Sequence, residues 1–95
     1  MSGDDERTKA AAAGNAAGGD ATATLDASGL LCPMPVLRAN RALRGLNGGD
    51  TLRVIATDPA AEADFPSYCR QTGHGLVSST RDGAAYVFTI RKKAE

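Results

Sequence analysis

The chain has 95 residues, and its 11 basic residues balance its 11 acidic residues. This length allows one small domain, and the charge balance excludes a generally basic nucleic-acid-binding protein. Only 4% of the residues are aromatic and none is Trp, which excludes an aromatic surface for stacking bases.

The chain contains two cysteines, too few for the disulfide framework of a small secreted domain. We therefore expect reduced thiols and a cytoplasmic location. No apolar run approaches the roughly 20 residues of a membrane span, and the first residues lack the pattern of a signal peptide. The sequence predicts no association with a membrane.

Residues 1–21 differ in composition from the rest of the chain. They include seven Ala and four Gly, with four acidic and two basic residues, and they contain no Val, Ile, Leu, Phe or Tyr. Such a segment cannot offset its ordering entropy by burial. We predict a disordered acidic tail over 1–21 and a folded domain over 22–95.

The domain begins with a predicted strand and a predicted helix. Residues 21–26 contain Thr and Leu in a short β-rich run. Residues 33–46 carry apolar side chains at spacings of three and four, which is the pattern of an amphipathic helix. These apolar positions are Val36, Ala39, Leu43 and Leu46.

A second strand and a second helix follow. Residues 51–57 form a largely apolar run, which predicts a strand that is buried on both faces. Asp64 is a suitable N-cap for the next helix, with Pro66 in its first turn, where a missing N–H does little harm. Gly73 is expected to end this helix, whose inner face carries Cys69.

Two further strands are predicted at residues 75–81 and 85–91, joined by the hairpin dipeptide Asp82-Gly83. The complete order is β-α-β-α-β-β. Right-handed crossovers then place both helices on the same face of the sheet. We predict the α+β class: a two-layer α/β sandwich with a four-stranded mixed sheet and two helices on one face.

The most informative residue is Cys32. Pro33 pushes Cys32 out of the α region, which predicts that Cys32 occupies the N-cap and Pro33 the first helical position. The free amides of Met34 and Val36, together with the helix dipole and Arg38, would then stabilise a thiolate. Cys32 is a candidate nucleophile with a lowered pKa. The structural alternative is a buried small apolar residue.

The residue types around Cys32 restrict its chemistry. Pro35 stands where a C-x-x-C dithiol has its second cysteine, so no local disulfide can form. A lone activated thiol can instead carry a persulfide, whose terminal sulfur can be passed to another thiol. One His and two Cys are too few for a closed zinc site, and we expect neither a metal nor a cofactor.

The sequence closely resembles the TusA/SirA family of small sulfur carrier proteins, often called sulfurtransferases. The matching motifs are Leu25-Asp26-Ala27, Gly29-Leu30, Cys32-Pro33-Met34-Pro35-Val36, Gly49-Asp50, Asp58-Pro59, Asp64-Phe65-Pro66, Gly73-His74 and the terminal hairpin. The resemblance covers residues 22–95. It implies the two-layer sandwich derived above and assigns Cys32 as the residue that becomes a persulfide. We interpret Pro33 and Pro35 as geometric supports of Cys32.

The resemblance also implies partners. The sulfur donor would be a cysteine desulfurase or a rhodanese-like protein, and a downstream protein would accept the sulfur for tRNA thiolation, molybdenum cofactor synthesis or sulfur oxidation. Members associated with tRNA thiolation often have an acidic residue where this chain has Met34, so the acceptor stays open. Whether such a carrier acts as an enzyme is open as well.

Several other residues have both a structural and a functional interpretation. Arg38, Arg41 and Arg44 fall within about 120° of helical arc and form a basic stripe beside Cys32, which is either a partner-docking surface or a solvated face. Met34 is predicted at an exposed apolar rim where a partner packs, or is a tolerated surface residue.

The second cysteine, Cys69, is expected to be buried, with a redox role toward Cys32 as the alternative. His74 is expected to cap the end of the second helix. Two other function classes remain: a regulatory or RNA-binding module, because a similar architecture occurs in a translation initiation factor domain, and a thiol peroxidase-like or reductase activity. Direct nucleic-acid binding is not expected, because the charge is balanced and aromatic residues are scarce.

Overall fold

A computed structural model describes residues 21–94, and its elements follow the predicted order β-α-β-α-β-β. The elements are β1 (Ala23–Ala27), α1 (Met34–Arg44), β2 (Thr51–Ala56), α2 (Ala61–Thr72), β3 (Gly75–Asp82) and β4 (Ala85–Arg91). The predicted tail lies outside the described residues, apart from Ala21.

The four strands form one mixed sheet in the order β1-β2-β4-β3. β1 and β2 are parallel, as a strand-helix-strand crossover requires, and β4 is antiparallel to both β2 and β3. Alternate residues of the strands join the buried residues of both helices in a single core. Both helices therefore cover the same face, and the predicted α+β sandwich is confirmed.

β2 is buried on one face only, so the prediction of burial on both faces is wrong. Leu52, Val54 and Ala56 are buried under the helices, whereas Arg53 and Ile55 are half-buried on the opposite face. The reason is that both helices lie on one side of the sheet. The charged Arg53 within the apolar run indicated this open face.

Helix α2 begins at Ala61 rather than after a cap at Asp64. Its N-cap, Ala60, has no side-chain oxygen, and Asp58 supplies the acceptors instead. The Asp58 Oδ1 accepts the Ala60 N–H at 3.1 Å, and the Asp58 carbonyl accepts the Ala61 N–H at 2.9 Å. Pro66 therefore lies inside the helix, where it removes one backbone hydrogen bond.

The C-terminal end of α2 is closed by Gly73, as predicted. Gly73 has a φ of 90° and donates its N–H to the Cys69 carbonyl at 2.9 Å. The His74 Nδ1 accepts the Lys93 N–H at 3.1 Å, and its ring lies 5.8 Å from the Tyr68 ring. The capping role of His74 stays a prediction.

The turn between β3 and β4 lies one residue later than a turn at Asp82-Gly83. Asp82 still pairs with Ala85, so the two loop residues are Gly83 and Ala84. Gly83 has a φ of 63°, as the first position of a type II′ turn requires. The β3–β4 register shifts between Leu76 and Ser78, and Val77 at this bulge is 48% exposed.

Candidate functional site

Cys32 is an exposed free thiol in the loop before α1. It opens onto a groove of about 220 Å³ between the two helices. The groove is lined by Cys32, Pro33, Val36, Asp64, Ser67, Tyr68 and Gln71. The loop and α1 form one wall, and α2 forms the other.

Cys32 lies just before the helix cap, not at the cap as predicted. Pro33 is the N-cap of α1, without a side-chain hydrogen bond, and the buried Pro35 lies in the first turn. The Met34 N–H, which we expected near the sulfur, donates to the Leu31 carbonyl at 2.8 Å. The Met34 amide is therefore bonded within this turn, and the helix begins one residue later than predicted. The Cys32-Pro33 peptide bond is cis.

Asp58 holds the backbone of the Cys32 loop. Its Oδ2 accepts the Cys32 N–H at 2.6 Å, while its Oδ1 accepts the Ala60 N–H. A second anchor lies three residues before Cys32, where the Gly29 N–H donates to the Thr57 Oγ1 at 2.8 Å. Sequence analysis named Asp58 only as part of the Asp58-Pro59 motif. The structure shows that it fixes the loop of the thiol to the start of α2.

Asp64 is the side chain that faces the Cys32 thiol from α2. A hydrogen bond to the Asp64 carboxylate is the largest of the effects that raise the pKa of Cys32 above its ordinary value. Partial desolvation and the negative charges of Asp64 and Asp58 act in the same direction. The predicted lowering of the Cys32 pKa is therefore wrong, because two carboxylates face the sulfur.

The α2 wall of the groove is a polar stripe that sequence analysis missed. Asp64, Ser67, Tyr68 and Gln71 follow at intervals of three, one and three residues, which places them on one face of the helix. The Tyr68 hydroxyl donates to the Asn40 Oδ1 on α1 at 2.8 Å. This bond ties the two helices together beneath the groove. The spacing along α2 was the available signal.

Residues 23–92 match the family described as Sulfurtransferase TusA. The chain belongs to the TusA family. It is 47% identical over 68 residues to the "Sulfur carrier protein TusA" of Allochromatium vinosum, which covers 72% of this chain and 90% of the relative. The Pseudomonas entomophila protein of the same name is 45% identical over 73 residues, with 77% and 91% covered.

A solved structure supports the same TusA-family fold. The SirA-like protein from Desulfitobacterium hafniense superposes with a TM-score of 0.66 at 26% sequence identity. The match covers 74% of this chain and 96% of that protein. The predicted TusA/SirA resemblance is confirmed by sequence and by fold.

Three apolar side chains near Cys32 in the sequence of this TusA-family chain are exposed. Met34 is 38% exposed, in agreement with its predicted position at an exposed rim. Leu31 is 71% exposed and Leu37 is 53% exposed, and sequence analysis identified neither. We call Leu31, Met34 and Leu37 the apolar rim.

None of the three predicted stripe arginines of this TusA-family chain lines the groove at Cys32. Arg38 is half-buried, whereas Arg41 and Arg44 are exposed in the last turn of α1. At 1.5 Å per residue, Arg41 and Arg44 lie about 12 Å and about 16 Å along the axis from Pro33. Cys32 precedes the helix and they end it. The expectation of a basic stripe beside Cys32 is corrected accordingly.

The second cysteine of the TusA-family chain, Cys69, is buried as predicted, and burial raises the pKa of its thiol. Within residues 21–94, no group of three or more His, Cys, Asp or Glu side chains is arranged to hold a metal ion. None of the helices in that range is both long enough and apolar enough to cross a bilayer.

Proposed function

We propose that this chain is a sulfur carrier that accepts sulfane sulfur on Cys32 as a persulfide and passes it to a partner protein. The observation that carries this proposal is the exposure of Cys32 at the mouth of the groove, while Cys69 is buried. Membership of the TusA family supports it, since curated relatives are named sulfur carrier proteins.

The transfer step exchanges one sulfur atom between two thiols. The Cys32 thiolate attacks the terminal sulfur of a donor persulfide, R–S–SH. A new S–S bond forms on Cys32 as the donor S–S bond breaks, and R–S⁻ leaves. The proton lost by Cys32 is balanced by the proton gained by the leaving thiolate. The sum is Cys32–SH + R–S–SH → Cys32–S–SH + R–SH, without net oxidation.

The groove suits a persulfide that must stay accessible to a second protein. Cys32 is exposed, and the groove beside it has room for the added sulfur. In this proposal, Pro33 and Pro35 fix the start of α1 under the thiol. The apolar rim gives a partner a surface to pack against while its own thiol approaches the sulfur.

The partners in this proposal are two proteins that react in turn with Cys32. A cysteine desulfurase or a rhodanese-like protein supplies the sulfur as its own cysteine persulfide. An acceptor protein then takes it for tRNA thiolation, molybdenum cofactor synthesis or sulfur oxidation. The transfer chemistry at Cys32 is the same for each route, so the acceptor is decided by the docking surface.

Sulfur loading can be measured by intact-mass spectrometry. The full chain is incubated either with inorganic polysulfide or with a cysteine desulfurase and cysteine, and then with a reductant. We expect the mass of one added sulfur atom, which the reductant removes. Cys32→Ser should lose this gain, and the matched Cys69→Ser should keep it. No gain from polysulfide, or an unchanged gain in Cys32→Ser, would contradict the proposal.

A further inference from the structure

The two carboxylates near Cys32, those of Asp58 and Asp64, have different roles. Both Asp58 oxygens accept backbone N–H groups, from Cys32 and Ala60. Asp64 is half-buried and lines the same groove as Cys32, and a hydrogen bond to its carboxylate raises the pKa of the thiol. Asp64 is therefore the carboxylate that shares the groove with the reacting sulfur, whereas Asp58 holds the loop.

We propose that Asp64 is a positioning residue that acts through Cys32: its carboxylate holds the thiol as S–H while the groove is unoccupied. This inference rests on the proposed function, in which the thiolate is the form that attacks the donor sulfur. A carrier with such a residue keeps its thiol less reactive toward small electrophiles between transfers.

The charged groups near Cys32 disfavour its anion. They are Asp64 on α2 and Asp58 in the loop before α2, and Tyr68 of α2 also lines the groove. Among the described residues that line the groove, none is Lys, Arg or His. A thiolate would lie next to two negative charges and would lose its role as hydrogen-bond donor to Asp64. Proton retention is the state that this geometry favours.

Replacing Asp64 by Asn tests the assignment, because it removes the charge and nearly preserves the shape. The rate of Cys32 alkylation by iodoacetamide is followed from pH 6 to 11, on the full chain, by peptide mass spectrometry. In Asp64→Asn the midpoint of the pH profile should move to lower pH, and in Asp64→Glu it should stay close to that of the unmodified chain.

The expected change in rate at neutral pH follows from two opposing effects. Each unit by which the pKa falls gives a roughly tenfold larger thiolate fraction at a pH well below it. Nucleophilicity falls at the same time with a Brønsted coefficient of about 0.4–0.5, so the rate rises about three- to fourfold per unit. At high pH the rate of Asp64→Asn should level off below that of the unmodified chain.

Glu62→Gln is the matched control, since Glu62 lies exposed in the first turn of the same helix and does not line the groove. An unchanged midpoint in Asp64→Asn, or an equal shift in Glu62→Gln, would overturn the assignment. If circular dichroism shows that Asp64→Asn is unfolded, Asp64→Ser replaces it. The same midpoint in Asp64→Ser as in the unmodified chain would then overturn the assignment.

Alkylation requires no sulfur donor, so the two proposals can fail separately. A shifted midpoint without polysulfide loading rejects the carrier function and supports the control of the thiol by Asp64. Loading with an unshifted midpoint rejects the role of Asp64 and leaves the carrier function supported.

Discussion

The two cysteines differ in access to solvent, whereas the pKa of both thiols is raised. The pKa of each is raised, that of Cys32 chiefly by its hydrogen bond to Asp64 and that of Cys69 by burial. Cys32 is exposed, whereas Cys69 is only 5% exposed. Reagents and partner proteins can therefore select Cys32 in the folded chain because they can reach it, even though its thiol is mostly protonated at neutral pH.

Replacing Cys69 by Ser tests its structural role. The change buries a hydroxyl at a site shaped for sulfur, and an unpaired buried hydroxyl costs about 1–3 kcal/mol. We expect the free energy of unfolding, measured in urea, to fall by about that amount, with unchanged polysulfide loading of Cys32. Cys69→Ala is the control without a polar atom. Normal stability with lost loading would assign Cys69 a part in sulfur transfer.

The contact between Asp64 and Cys32 could not be predicted from the sequence. The cap hypothesis used only neighbours of Cys32, namely Pro33 and Met34, and local reasoning cannot show which side chains a distant helix brings to the sulfur. The residues that decide the thiol chemistry, Asp58 and Asp64, are 26 and 32 positions away. Their effect depends on how α2 packs against α1.

The two ends of α1 have different side chains. The apolar rim and Cys32 are at the N-terminal end, and Arg41 and Arg44 are in the last turn. Along the helix axis, Arg41 and Arg44 lie about 12–16 Å from Pro33, which is more than the Debye length of about 8 Å at physiological ionic strength. These two arginines can attract an acidic partner, but they have little effect on the acidity of the thiol.

Charge reversal tests Arg41 and Arg44 as a docking surface. In the double variant Arg41→Glu, Arg44→Glu, transfer from a desulfurase or rhodanese-type donor should slow and lose salt dependence, because electrostatic attraction speeds association. Loading by polysulfide should stay unchanged. Transfer rates across ionic strength are the measurement.

A matched control for this test is Arg81→Glu, which changes the charge on the hairpin, on a different element from α1. Transfer at low salt that equals the rate of the unmodified chain would show that Arg41 and Arg44 are a solvated face. The rate of polysulfide loading separates a loss of docking from a loss of thiol reactivity.

The succession of elements was predictable because each has its own period. Val36, Ala39 and Leu43 recur at helical spacing, and two β-rich runs flank the hairpin glycine, Gly83. The boundaries were less accurate. The start of α2 was missed because Asp58, outside the helix, supplies the acceptors that a cap residue would normally supply.

At the scale of the whole domain, contacts between residues that are far apart in sequence hold the elements together. The Phe65 ring on α2 stacks on Phe88 of β4 with centroids 4.7 Å apart. Hydrogen bonds of the C-terminal segment include those from the Lys93 N–H to His74 and from the Lys92 Nζ to the Leu46 carbonyl at 2.9 Å. These links join the end of the chain to the ends of both helices.

Because Tyr68 and Cys69 are buried groups that ionise at high pH, we expect the domain to lose stability at alkaline pH. Burial raises the pKa of Tyr68 from 10.0 to about 12, and it also raises that of Cys69. Each group is neutral in the folded chain and ionises more readily when unfolded. Each group contributes fully to the free energy of unfolding at a pH below its pKa in the unfolded chain. This contribution is lost as the pH rises through the pKa of the group in the folded chain.

The free energy of unfolding should therefore decrease as pH rises above 9.0, the ordinary pKa of a cysteine, with the Tyr68 part lost between 10.0 and about 12. Urea denaturation across this range measures the slope. Tyr68→Phe should be less stable at neutral pH, since the hydrogen bond to Asn40 is lost at a cost of about 1 kcal/mol, and should show a shallower alkaline slope. An identical slope would contradict this assignment.

The bulge at Val77 affects how copies of this chain can associate through β3. β3 is an edge strand and is largely exposed, so a regular β3 would offer its outer backbone groups to another chain. The shift between Leu76 and Ser78 interrupts the regular spacing along that edge. A neighbouring strand cannot pair with the whole of β3 in one register, which disfavours edge-to-edge polymers when the protein is crowded.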